Sequence, residues 1–342
     1  MEPINLHTAA RDGTLFQVPV SQLTIENLTA PNAAGTTPLH IAARYGRLRG
    51  LPAAVLTAET MLHKNESGYT PLHHAAENGH LDQVPPALFK HEILLTRSNS
   101  GYTVYHVAAA HGHLGQFPAG LLTNEVIRLK TELGNNLLHE AAENGTLDQV
   151  PPALLTAALL DERNISGETV YHVAALNGHL DQLPHSLLTR ENLLQKTSAG
   201  DTVLHAAAIA GHLGQIPPEL LVHDNLAIAS KSGYTPIHAA AETGQLDKIP
   251  SAQLTVDLLL TRNDHGDTAV HAAAFAGYLQ QIPAELLNAE LLNVRNYNGV
   301  TVLHTAESSG HLYTVPELLR PKPPGRLKSF FKRVGDTHAP WG

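Results

Sequence analysis

No cysteine occurs among the 342 residues, which removes disulfides, thiolate metal sites and a cysteine nucleophile from the possibilities. The absence fits a reducing compartment. Charge is scarce as well. Only 15% of residues are charged and the formal net charge is −9, a mild acidity that speaks against a general nucleic-acid binder. The N-terminal stretch MEPINLHTAARDG has no basic flank leading into an apolar run, so no signal peptide is expected. No segment approaches the roughly 18 consecutive apolar residues of a membrane-spanning helix. These absences together lead to the expectation of a soluble, cytoplasmic chain.

What the chain has in quantity is glycine, proline and histidine, and all three are periodic. Gly35, Gly68, Gly101, Gly134, Gly167, Gly200, Gly233, Gly266 and Gly299 stand 33 residues apart. With that glycine as slot 1, slot 6 is histidine in ten units, from His7 to His304. Slot 12 is glycine in all ten, and slot 18 is proline in all ten, from Pro19 to Pro316. No insertion breaks the register between residues 2 and 320. Such self-similarity means a solenoid in which each unit buries its apolar face against its neighbours.

Each slot has a physical role. Thr at slot 3, as in Thr37, Thr70 and Thr169, is a good helix N-cap, and Pro38, Pro71 and Pro236 suit a first helical position. Paired alanines at slots 8 and 9 let neighbouring helices approach closely. The slot 12 glycine is the expected left-handed C-cap, so the first helix should cover about slots 4 to 11.

These residues resemble the ankyrin repeat, whose signature G-x-T-P-L-H-x-A-A-x-x-G-H-L has the same 33-residue period. Gly68 to Leu81 and Gly233 to Leu246 carry it best, and the match covers the first 14 slots of a unit. The second half departs from the family, which continues with one long helix and a G-A-D-V-N turn. Here the chain reads L-x-Q-h-P-x-x-L-L-T-x-E-x-L-L, as in Leu180 to Leu194. A proline at slot 18 cannot sit inside a helix begun at slot 14. Slots 13 to 17 are therefore expected to be a turn or extended link, with proline opening a second short helix. Thr at slot 23, followed two residues later by an acid, should cap a third. The missing G-A-D-V-N also puts the family's projecting β-hairpin in question.

The expected architecture is an all-α, ankyrin-like solenoid of ten 33-residue units. Residues 2–34 read as an N-terminal capping repeat, 35–298 as eight internal repeats, 299–320 as a truncated last repeat and 321–342 as a basic Pro/Gly tail. Glu307 marks the last unit, because a charge at closely packed slot 9 needs an uncovered face.

Twenty-three histidines invite a metal or catalytic reading. Ten copies at slot 6 without a second fixed ligand argue instead for rings that satisfy backbone groups. His139, Glu140 and Glu143 resemble a defective zinc-protease helix, but His139 is only the slot 6 residue. Gln at slot 16 reads the same way, as a partner for backbone groups orphaned where the helix breaks. Basic residues at slot 30 (Lys64, Arg97, Lys130, Arg163, Lys196, Arg262, Arg295) are expected to pair weakly with the acidic stripe at slot 25 rather than to follow nucleic acid. No glycine-rich phosphate loop or nucleophile elbow is present. No enzyme, cofactor, catalytic residue or metal site is expected.

The resemblance implies protein–protein binding by a rigid, non-enzymatic scaffold: slots 7, 10 and 11 vary freely and match the positions that line the family's concave groove. Apolar residues collect there in units six to nine. Val173, Leu176, Ile209 and Phe275, with Tyr234 at the rim, are the candidate partner contacts. In the tail, Leu327, Phe330, Phe331 and Val334 face one side of a basic amphipathic pattern containing Lys332 and Arg333. Its first reading is a helix capping the last unit, and its second is a membrane or partner contact through residues 326–334. Alternative roles are a repeat-only part of a larger effector or toxin, or a membrane-tethered adaptor. A monomer is expected, with end-to-end association left open.

Overall fold

A computed structural model describes residues 5–118 and 120–320. The tail contacts named above, Leu327, Phe330, Phe331, Lys332 and Arg333, lie outside the described residues. Within them the chain is helical, with no β-strand longer than an isolated bridge. Each unit opens with an α-helix of two turns, from Leu6–Asp12 in the first to Val302–Ser308 in the last. Consecutive first helices pack against each other along the whole array. The alanines at slots 8 and 9, such as Ala75, Ala76, Ala207 and Ala208, are completely buried between them. A Leu at slot 14 of each internal unit completes the core.

The capping expectations hold in detail. Thr70 has extended backbone and its side chain accepts from the His73 N–H, while Pro71 occupies the first turn. His73 returns the bond, its Nδ1 accepting from the Thr70 N–H at 3.2 Å. The slot 3 and slot 6 residues thus form a reciprocal capping box in which histidine takes the place usual for Glu or Gln. Gly145, Gly178 and Gly277 end their helices in the left-handed region.

The second half is broken as expected, but in a different place. Leu81–Gln83 forms a 3-10 turn where a turn or extended link is expected, and Val84 and Pro85 are extended. Pro85, at φ −56° and ψ 135°, is in polyproline geometry and does not open the helix. It caps the next 3-10 turn, Pro86–Leu88. Proline lacks the N–H that an ongoing helix would use, so the chain leaves the helix before it and re-enters one residue later. A one-turn α-helix follows, His91–Leu94, so this unit has four helical segments rather than three. Thr57, Thr123, Thr189 and Thr255 cap the equivalent one-turn helices with their side chains.

Successive units are joined by a tight turn in place of a two-stranded finger. In unit five's exit, Asn164 Oδ1 accepts from the Ser166 and Glu168 N–H groups, both at 3.0 Å. Neighbouring turns then bond to each other, as in the Ser198 N–H to the Ser166 carbonyl at 3.0 Å.

The slot 30 cations do not pair with the slot 25 acids. They reach into the next unit's backbone: Lys64 Nζ donates to the Arg97 carbonyl at 2.7 Å, and Lys130 Nζ to the Arg163 carbonyl at 2.7 Å. Arg163 and Arg262 do the same. A carbonyl left open at a turn lies nearer than the exposed acids one helix away, and a charged donor to it forms a strong bond.

Candidate functional site

Every internal first helix leaves its slot 10 side chain on one open face, opposite the turn that carries slot 2 of the same register. Arg11, Arg44, Glu143, Leu176, Ile209, Glu242 and Phe275 are exposed there. Among them the apolar three stand out: Leu176 is 36% exposed, Ile209 49% and Phe275 61%. Val173 is not part of this face. It is buried at slot 7, one helical turn earlier. Slot 7 therefore belongs mostly to the packed side, and the variable face is narrower than slots 7, 10 and 11 together. Tyr234 sits half-buried on the wall, and its hydroxyl donates to the Glu242 carboxylate.

Two cavities open between helices and turns. One of about 220 Å³ is lined by Leu176 and Ile209 together with Glu168 and Asp201. The other, about 190 Å³, is lined by Phe275, Tyr234, Glu242 and Asp267. At the opposite end of the array a 330 Å³ cavity is lined instead by Arg11, Arg44 and Tyr45. The face changes character from cationic to acidic and apolar along its length. The slot 2 carboxylates were not singled out in the sequence. Their signal was available, because from Gly35 onward slot 2 varies between units while slot 1 is always Gly and slot 3 is Thr in all but Asn136.

Histidines line the floor but do not offer ligands. His172 Nδ1 accepts from the Thr169 N–H at 3.2 Å, and Nε2 donates to the Asp201 carbonyl of the next unit at 3.2 Å. Both ring nitrogens are therefore engaged by protein, in the neutral tautomer that has its proton on Nε2. The same ring bridges to the next unit at His40, His73, His139, His205, His238 and His271, whereas His106 Nε2 meets the Leu129 carbonyl of its own unit. Among the described residues no group of three or more His, Asp or Glu could hold a metal ion. Burial lowers the ring pKa to about 4 for His40, His73, His106, His139 and His172.

Gln at slot 16 is a second staple between units. Gln182 Oε1 accepts from the Leu147 N–H at 2.9 Å and its Nε2 donates to the Gly145 carbonyl at 2.9 Å. These are groups of the preceding unit, freed where its first helix ends, so the orphan-satisfying role is correct and acts across the interface.

One buried carboxylate has no cation. Glu140 is buried at slot 7, accepts from Asn135 Nδ2 at 3.1 Å, and has its pKa raised, chiefly by desolvation. A raised native pKa means that ionisation penalises the folded state increasingly as pH rises. Glu140→Gln should therefore raise stability at pH 7 by about 1 kcal/mol, with the gain disappearing towards pH 4. Urea midpoints at the two pH values would check it, and a loss of stability at pH 7 would contradict the assignment.

A family model described as ankyrin repeats (3 copies) matches residues 53–117 and 172–250. No curated protein matches the chain. Ankyrin repeats are in general protein–protein interaction modules, and no helix among the described residues is long and apolar enough to cross a membrane. Ankyrin repeats are thus shown over residues 53–117 and 172–250, and the same signature continues in register on either side of them.

Proposed function

We propose that the array is a non-enzymatic scaffold that binds a protein partner along the open face of units six to nine. The observation that carries this reading is the line of exposed apolar side chains, Leu176, Ile209 and Phe275, at one helical position in register. Burying three such side chains in the monomer would stabilise it, so their exposure calls for a covering surface. Tyr234 lies beside them as a rim contact that is already held by Glu242.

The test is the triple variant Leu176→Ser, Ile209→Ser, Phe275→Ser, used as bait beside the wild-type chain in affinity capture from source lysate. A partner held by the wild type should be lost, while the melting temperature shifts by less than about 3 °C because the exchanged groups are exposed. Undiminished capture by the variant would remove this face from consideration.

A further inference from the structure

We infer that the partner presents a linear cationic segment, with Lys or Arg interleaved among apolar side chains at about one per three residues. The inference rests on the groove reading above and adds the chemistry of its occupant. Units six to nine each place one acidic and one apolar or aromatic side chain at slots 2 and 10. The pairs are Glu168 with Leu176, Asp201 with Ile209, Glu242 with Tyr234, and Asp267 with Phe275.

Three of the four carboxylates are held in place by neutral groups. Asn164 Nδ2 donates to Glu168 at 2.8 Å, Asn296 Nδ2 to Asp267 at 2.7 Å, and the Tyr234 hydroxyl to Glu242. Among the described residues none of the four is in a salt bridge. No Lys or Arg lines either cavity. Lys196 and Arg262 of these units are turned to backbone carbonyls. Oriented carboxylates beside apolar side chains in a partly dry cleft favour a partner that supplies both opposite charge and apolar surface.

Spacing narrows the class further. First helices packed side by side lie about 10 Å apart, and an extended chain advances about 3.3 Å per residue. Three residues of an extended segment therefore span one unit, and each unit offers one acid and one apolar contact. At the other end of the face the lining holds Arg44 and an Arg11 already paired with Asp12, so a cationic segment finds no free carboxylate in that lining.

The experiment is a selection of random peptides displayed on phage against the full chain, repeated on Asp201→Asn with Asp267→Asn. Asparagine keeps size and hydrogen bonding and removes charge alone. Enriched sequences should be rich in Lys and Arg beside Leu or aromatic residues and poor in acids. A synthetic copy of the most enriched peptide should bind the Asn variant at least tenfold more weakly, and its affinity for the wild type should fall as salt rises. Acidic or uncharged winners, no enrichment, or equal binding by the Asn variant would each overturn the inference. The groove reading is judged separately: if the Asn variant still captures the lysate partner and the serine variant does not, the face is right and its cationic occupant is wrong.

Discussion

Acidification from pH 7 to pH 5 should lower the melting temperature of the array steeply, by about 10 °C or more. Histidine in an unfolded chain titrates near 6.5, whereas the five rings His40, His73, His106, His139 and His172 titrate at about 4 in the fold. Desolvation is the largest cause in each, and for His172 the nearby Arg163 guanidinium lowers it further. The sign follows from linkage. Above pH 6.5 both states carry neutral rings, and the histidines contribute their full hydrogen bonds. Between 6.5 and about 4 the unfolded chain binds protons that the native rings cannot, so stability is lost as pH falls. Below about 4 both states are charged and the loss stops growing. At pH 5 each ring accounts for about 2 kcal/mol, and five together approach the entire stability of an ordinary domain. His205, His238 and His271 shift in the same direction and add to the effect. Glu140 acts with the opposite sign, but it is a single group. Thermal unfolding followed by circular dichroism from pH 8 to pH 4 would measure the slope. A melting temperature that stays flat down to pH 5 would mean that the rings are solvated or paired differently.

That sensitivity follows from one substitution in a common device. A capping box normally ends in Glu or Gln; here its third position is a histidine whose second nitrogen reaches the next unit. Capping and stacking thus depend on one neutral ring.

Much of this was legible in the sequence because a repeated residue identifies a repeated constraint. The slot 3 threonines, the slot 6 histidines and the slot 12 glycines each recur for a reason set within about four residues of their own position, where sequence reading is strongest. The break before slot 18 was equally plain, since proline cannot donate. Its exact place was not. Whether Pro85 opens a turn or caps one depends on a backbone angle that proline permits in both cases, and tertiary packing chose. The slot 30 cations were misassigned because their acceptors, the carbonyls of the next unit, have no side-chain identity to read. Val173 was misplaced for a related reason: slot 7 varies among units, yet its variation is confined to residues that fit against a neighbouring helix. The slot 2 carboxylates escaped because each is ordinary alone, and they become a feature only when stacked beside slot 10.

The slot 1 glycines marked the period without revealing their own cause, and one of them supports the sharpest test of the stacking. Gly167 should not tolerate alanine: Gly167→Ala is expected to cost about 3 kcal/mol. Its φ of 77° lies in the left-handed region, which costs a residue with a Cβ roughly 1 to 2 kcal/mol. A Cβ there would also stand 2.7 Å from the Ser198 backbone nitrogen. That nitrogen belongs to the next turn, and its N–H is committed to the Ser166 carbonyl at 3.0 Å. Backbone cannot swing aside as a flexible side chain can, so relief requires the two turns to separate and this bond to lengthen. Gly214 provides the control. It lies in the 3-10 turn Leu213–Gln215, has no positive φ, and a Cβ there meets nothing within 4 Å. Gly214→Ala should be neutral or stabilising by up to about 1 kcal/mol, through the unfolded chain. Urea unfolding of both variants decides the matter. Equal midpoints would show that the turns do not approach as closely as described, whereas a large loss confined to Gly167→Ala locates the constraint between units, where consecutive turns meet backbone to backbone.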